Sequence, residues 1–176
     1  MNLLYYHSLN KGAPGTNSRS LFRSLLDIKE DIPFNIQLFS PTFDTTKLKQ
    51  EYNGIEILTI KDLLMKSLED TIVHIPVSPL LWPNSKFLLH FLTKLKKQKI
   101  IFTLRGEPRI ETKYRFSFGY IPNYIATPFL LKKIDRIVVT SNKMLNLIET
   151  KYKLNNVVVI PNGIDSWWFF NKNKSK

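Results

Sequence analysis

Three short stretches hold the residue types best suited to chemistry. In Thr103-Leu104-Arg105-Gly106-Glu107-Pro108-Arg109 an arginine follows directly on an apolar run. A guanidinium at the carboxyl end of a buried strand is placed to grip a phosphate or a carboxylate through two parallel hydrogen bonds. Glu107 can pair with Arg105 or Arg109, or accept from the hydroxyls of a sugar; a local ion pair on a loop is the competing reading. Asn10-Lys11-Gly12-Ala13-Pro14-Gly15-Thr16-Asn17 is a glycine-containing junction between a strand and a helix. There, free N–H groups of a helix start would face an anion, and Gly12 and Gly15 would let backbone approach it closely. The glycine spacing does not meet the dinucleotide fingerprint, so a tight structural turn explains it equally well. His74, inside Ile72-Val73-His74-Ile75-Pro76, is either a hydrogen-bonded core histidine or a site member.

Other chemistries find no residues to carry them. The chain has no cysteine, which excludes disulfides and thiolate metal sites, and its three histidines, His7, His74 and His90, are far apart in sequence. No metal is expected. No nucleophile–base pair or carboxylate dyad emerges.

Two segments suit contact with larger partners. Around Ser85–Lys99, Phe87, Leu88, Phe91, Leu92 and Leu95 make an apolar stripe. Lys86, Lys94, Lys96, Lys97 and Lys99 lie around it, and Trp82 comes just before. Such a helix can lie in a lipid interface or simply cover a sheet. The stretch from Tyr114 through Tyr120 to Tyr124 is rich in aromatics and suits either an acceptor groove or a core cover. Nucleic acid is disfavoured as a partner, because these aromatics lack the interleaved Arg and Lys of a base-stacking surface.

The elements that must position these groups alternate along the chain. Apolar runs predict strands at Leu3–Tyr6, Asn35–Phe39, Gly54–Leu58, Thr71–Ile75, Ile100–Leu104, Arg136–Thr140 and Val157–Ile160. Between them, Leu21, Phe22, Leu25 and Leu26 form one helical stripe. Met144, Leu145 and Ile148 form another, behind Ser141 as N-cap. Alternating β and α with apolar strands argues for a doubly wound, mostly parallel sheet of about seven strands, with helices on both faces. After the last strand, Pro161-Asn162-Gly163 reads as a tight turn.

Composition fits this reading. The hydrophobic share of 43% and 176 residues suffice for one α/β domain. The net charge of +12 favours anionic partners without choosing among phosphates, nucleotide sugars, lipid head groups and nucleic acid. The first residues lack the pattern of a signal peptide. The longest charge-free stretches, Thr71–Ser85 and Phe116–Leu131, fall short of the ~20 apolar residues of a membrane span. A cytoplasmic protein, free or peripheral on the inner membrane face, is expected.

Taken in order, these landmarks resemble the N-terminal domain of a family 4 glycosyltransferase of the two-domain GT-B fold. Asp70-Thr-Ile-Val-His74 is similar to the family's "D-x-V-H" strand, and Thr103-Leu-Arg-Gly-Glu107 to the "P-R-G-E-L" stretch of polysaccharide-building members. Ile134-Asp135-Arg136-Ile137-Val138-Val139-Thr140-Ser141 is close to "A-D-x-I-I-A-x-S". Val159-Ile160-Pro161-Asn162-Gly163-Ile164-Asp165 matches the "V-I-P-N-G-V-D" hinge. Two positions depart: Ala13-Pro14 separates Gly12 from Gly15 where many members have adjacent glycines, and Leu104 replaces a proline.

The resemblance implies a Rossmann-like domain over residues 1–165, half of a GT-B fold, followed by a linker or basic tail over 166–176. It implies retaining, metal-independent sugar transfer from a nucleotide-sugar co-substrate in glycan or polysaccharide biosynthesis, with no other cofactor. Gly12, Gly15 and Thr16 would lie at the donor diphosphate, and Asn162 and Gly163 at the hinge. Arg105, Glu107 and His74 would serve catalysis. Trp82, Lys96, Lys97, Tyr120 and Tyr124 would touch membrane or a sugar or lipid-linked acceptor. The donor-binding half would be a C-terminal domain or a separate chain, and without it the chain is expected to be nearly inactive. The alternative is a non-enzymatic module that recruits a catalytic partner or docks on anionic membrane.

Overall fold

The computed structural model describes residues 1–7, 13–42, 44–76, 85–107 and 120–161. Seven strands form one sheet: β1 Asn2–Tyr6, β2 Asn35–Phe39, β3 Glu56–Leu58, β4 Thr71–Ile75, β5 Lys99–Leu104, β6 Arg136–Val139 and β7 Val157–Val159. The described helices are α1 Ala13–Asp27, α2 Thr46–Glu51, α3 Ile60–Met65, α4 Ser85–Leu95, α5 Tyr120–Lys132 and α6 Asn142–Tyr152. All six strand pairs are parallel, in the order β3-β2-β1-β4-β5-β6-β7. All seven expected strands are present. The third begins two residues later than expected, because Gly54 turns with φ +78° and cannot lie in the ladder.

The chain winds outward from β1 in one direction to β3, then returns and winds the other way from β4. The sheet's switch point is therefore the seam between β1 and β4, where Leu4 pairs with Val73 and Tyr5 with His74. Ligands of open α/β sheets collect outside the carboxyl ends at such a seam.

The period of two along each strand divides the core into two clusters. Leu4, Tyr6, Val73, Ile75, Phe102, Leu104, Ile137 and Val139 face the side covered by Leu63 of α3, Leu89 and Leu92 of α4, Leu131 of α5 and Ile148 of α6. Tyr5, Ile36 and Leu38 face the other side, with Phe22 of α1, Leu48 of α2 and the adjoining Tyr52. Among the described residues that second face is packed mainly over β1–β3; beyond it, Ile72, Ile101, Val138 and Val158 stay half-buried.

Local signals set several element ends. Thr59 and Asp62 form a capping box on α3, with Thr59 N–H donating to Asp62 Oδ2 at 2.8 Å. Ser141 caps α6 by accepting from Met144 N–H at 3.3 Å, as expected. One expected stripe is corrected. On α4 the buried residues are Leu89, His90, Leu92 and Thr93, whereas Phe91 and Leu95 are 50% and 63% exposed. The side chains of Phe87 and Leu88 lie outside the described residues. Lys99 opens β5 instead of ending the helix. On α1, Phe22 is fully buried while Leu21 points outward.

Candidate anion site at the carboxyl edge of the sheet

The site is built from β1 outward. Tyr5 is wholly buried, and its hydroxyl donates to Ser18 O at 2.8 Å, which ties the second turn of α1 to the strand beneath it. Burial, with only partial relief from Ser18, pushes the Tyr5 phenol far above its ordinary range, so it stays protonated. Because α1 runs back over the sheet, its N-terminal turn lies beside the carboxyl end of β1. Gly15 is buried within that first part of the helix instead of in a preceding loop, and Thr16 Oγ1 accepts from Arg19 at 3.4 Å.

His74 sits next to Tyr5 on β4. Its ring meets the Tyr5 ring edge-on at 5.1 Å between centroids, and its Nε2 lies 2.9 Å from Thr103 Oγ1 on β5. Burial, and secondarily the charge of Arg105, lowers its pKa to about 4, so the ring is neutral near pH 7. The hydrogen-bonded strand histidine is thus what the structure shows. The bond also links β4 to β5 on the face that carries Tyr5.

Arg105 leaves the end of β5 and reaches back over β4, where its Nε donates to Pro76 O at 3.4 Å. Tyr5 and His74 lie within electrostatic reach of the guanidinium. Its Nη1 is buried and, among the described residues, has no hydrogen-bond partner. Desolvation lowers the pKa of Arg105, and the cation remains charged at any physiological pH. A buried guanidinium nitrogen without an acceptor is costly and calls for an anion.

His7, immediately after β1, is a group that sequence reasoning used only to argue against metal. It is 6% exposed, its ring packs edge-on against Tyr52 at 6.0 Å, and among the described residues neither ring nitrogen has a hydrogen-bond partner. Burial lowers its pKa, against the opposing charge of Glu51. The only hint in the sequence is a histidine closing an apolar strand.

The remaining predicted residues separate. Glu107 is buried, accepts from the Tyr152 hydroxyl and pairs with Lys151 Nζ at 3.1 Å, which binds the chain after β5 to the end of α6. Lys96 donates to Lys66 O beside α3, and Lys97 takes a left-handed conformation, φ 57°, in the exposed turn after α4. Tyr120 and Tyr124 lie in α5, their side chains outside the described residues, as are Gly12, Trp82, Arg109, Asn162 and Gly163 altogether. Among the described residues no group of three or more His, Cys, Asp or Glu could hold a metal ion. Nor is any described helix long and apolar enough to cross a membrane.

A doubly wound parallel sheet, with the half-buried Arg105 at its carboxyl edge, defines a Rossmann-like α/β domain. The family model Glycosyltransferase Family 4 matches residues 53–167, from the turn before β3 to beyond β7. The chain belongs to that family and is its N-terminal domain, half of a GT-B fold. No curated protein matches it.

Proposed function

We propose that this domain is the acceptor-side half of a retaining glycosyltransferase of glycan or polysaccharide biosynthesis, using a nucleotide-sugar donor and no metal or other cofactor. Arg105 and the start of α1 hold the departing diphosphate. Sugar transfer from a nucleotide builds negative charge on the leaving phosphate, and fixed positive groups in a dry cleft stabilise it without reorganising. The observation that carries this reading is the buried Arg105 Nη1, without an acceptor among the described residues, on a side chain held over β4 by Pro76 O. His74 stays neutral beside it and orients the floor of the cleft through Thr103. Glu107 acts as a positioning residue by fixing the loop that follows Arg105 to α6. The donor-binding half, on the same polypeptide or another, closes over this edge around the Asn162-Gly163 hinge.

Inorganic pyrophosphate is the simplest probe of the site. It is expected to raise the melting temperature of the chain, and Arg105→Gln should abolish that rise while leaving the unliganded melting temperature equal or higher. Stabilisation by pyrophosphate that survives Arg105→Gln would place the diphosphate elsewhere.

A further inference from the structure

The two faces of the sheet are unequally covered. Over β4–β7 the Tyr5 side carries Ile72, Ile101, Val138 and Val158, all half-buried, and Ile160 just beyond β7 is 57% exposed. Register sets them side by side: Ile101 lies level with His74, and Val138 and Val158 lie level with Thr103. None of these five belongs to either core cluster of the described residues. The opposite side of β7 is already taken, since Ile148 and Tyr152 of α6 join the cluster that holds Val157. Apolar side chains on a parallel sheet ordinarily lie under a covering layer.

The chain carries a suitable cover to this place. Ile160 N–H still donates to Val139 O at 2.9 Å, so the backbone leaves the sheet beside the open row. Pro161 has no N–H to prolong the ladder, and the sequence Pro161-Asn162-Gly163 favours a turn. Trp167-Trp168-Phe169-Phe170 comes next. The stretch from Pro161 to Trp167 reaches at most about 20 Å, whereas β7 to β5 is two strand spacings, about 10 Å.

We propose that Trp167-Trp168-Phe169-Phe170 folds back across the Tyr5 side of β5–β7 and closes it. Successive large aromatics left in water are costly, and aromatic rings pair well with β-branched residues of a sheet. Arg136, exposed on the same side of β6, offers its guanidinium to a ring face. The proposal does not rest on the diphosphate reading, and failure of pyrophosphate binding would leave it standing.

Trp82→Phe leaves Trp167 and Trp168 as the only tryptophans of the whole chain. In the folded protein their emission is expected to be blue-shifted and their quenching by acrylamide slow. The chain has no cysteine, so Val158→Cys places a single thiol on the face. Replacing all four aromatics by serine should speed the reaction of that thiol with a maleimide about tenfold or more. The same replacement should lower the melting temperature by about 5 °C or more. Tryptophans that emit and quench as free indole in the folded chain would overturn the proposal. So would a Val158→Cys thiol that reacts equally fast with and without the aromatics, since the segment would then lie elsewhere. A dimer in light scattering that the serine replacement dissolves would assign the face to a second copy, and would overturn it as well.

Discussion

His74 and His90 show how surroundings, not residue type, set a side chain's chemistry. Both are held neutral with pKa about 4, first by burial and then by nearby cations: Arg105 for His74, Lys94 and Lys133 for His90. Each pKa is depressed below the unfolded value of 6.5, so the unfolded chain binds more protons between pH 6.5 and 4. Stability is therefore full above pH 6.5 and is lost as pH falls towards 4, by roughly 2–3 kcal/mol per histidine. Denaturant titration at pH 7.5 and 4.5 should show this loss, and His74→Gln should reduce it. An unchanged pH dependence in that variant would remove His74 from the account. That His74 would be hydrogen-bonded was legible from its strand; that Thr103 is its partner was not, because the two are 29 residues apart.

At the level of elements, Asp135, just before β6, joins the end of α4 and the start of β5, 35 to 41 residues earlier in the chain. Its Oδ2 accepts from Lys94 Nζ at 2.6 Å at the end of α4 and from Ile100 N–H at 2.9 Å at the start of β5. Burial raises its pKa, but these hydrogen bonds outweigh it and hold the carboxyl below the ordinary range. Ile100 is fully buried, so Asp135→Ala strands its N–H, at about 1–3 kcal/mol. Asp135→Asn keeps an acceptor and should cost less. Urea midpoints of the two variants distinguish the roles, since equal losses would mean that charge matters and the N–H does not.

The same level shows what helical patterning cannot decide. Phe87-Leu88-Leu89-His90-Phe91-Leu92 offers two overlapping stripes. Leu89 and Leu92 were chosen by contact with the sheet, and Phe91 was left in solvent. The strands were easier to read. Strands of a parallel sheet read as almost unbroken apolar runs, and Ile100–Leu104 and Val157–Val159 are such runs. Glycine was read less well, since Gly15 marks the first turns of α1 and not a loop.

For the whole molecule, the acceptor-side role proposed above can be tested by activity. A mixture of nucleotide sugar, acceptor and this chain should give little transfer, and adding a donor-binding half should restore it, measured as nucleoside diphosphate released. Efficient transfer by the chain alone would end the division of labour proposed above. The two faces differ in what they carry, with Arg105 and His74 on the Tyr5 side and helices α3–α6 opposite.

The sequence by itself determined the seven strands, the doubly wound class and the family resemblance. These rest on apolar runs and short motifs, which are local along the chain. It also placed Arg105 just beyond a strand, at the edge where ligands gather. Only the tertiary structure decided that Arg105 reaches Pro76 O, that Glu107 turns away to Lys151 and Tyr152, and that Phe91 and Leu95 face solvent. Those outcomes depend on which strands become neighbours. With β4 and β5 side by side, Arg105 meets Pro76 O across 29 residues of chain, and Glu107 meets Tyr152 across 45.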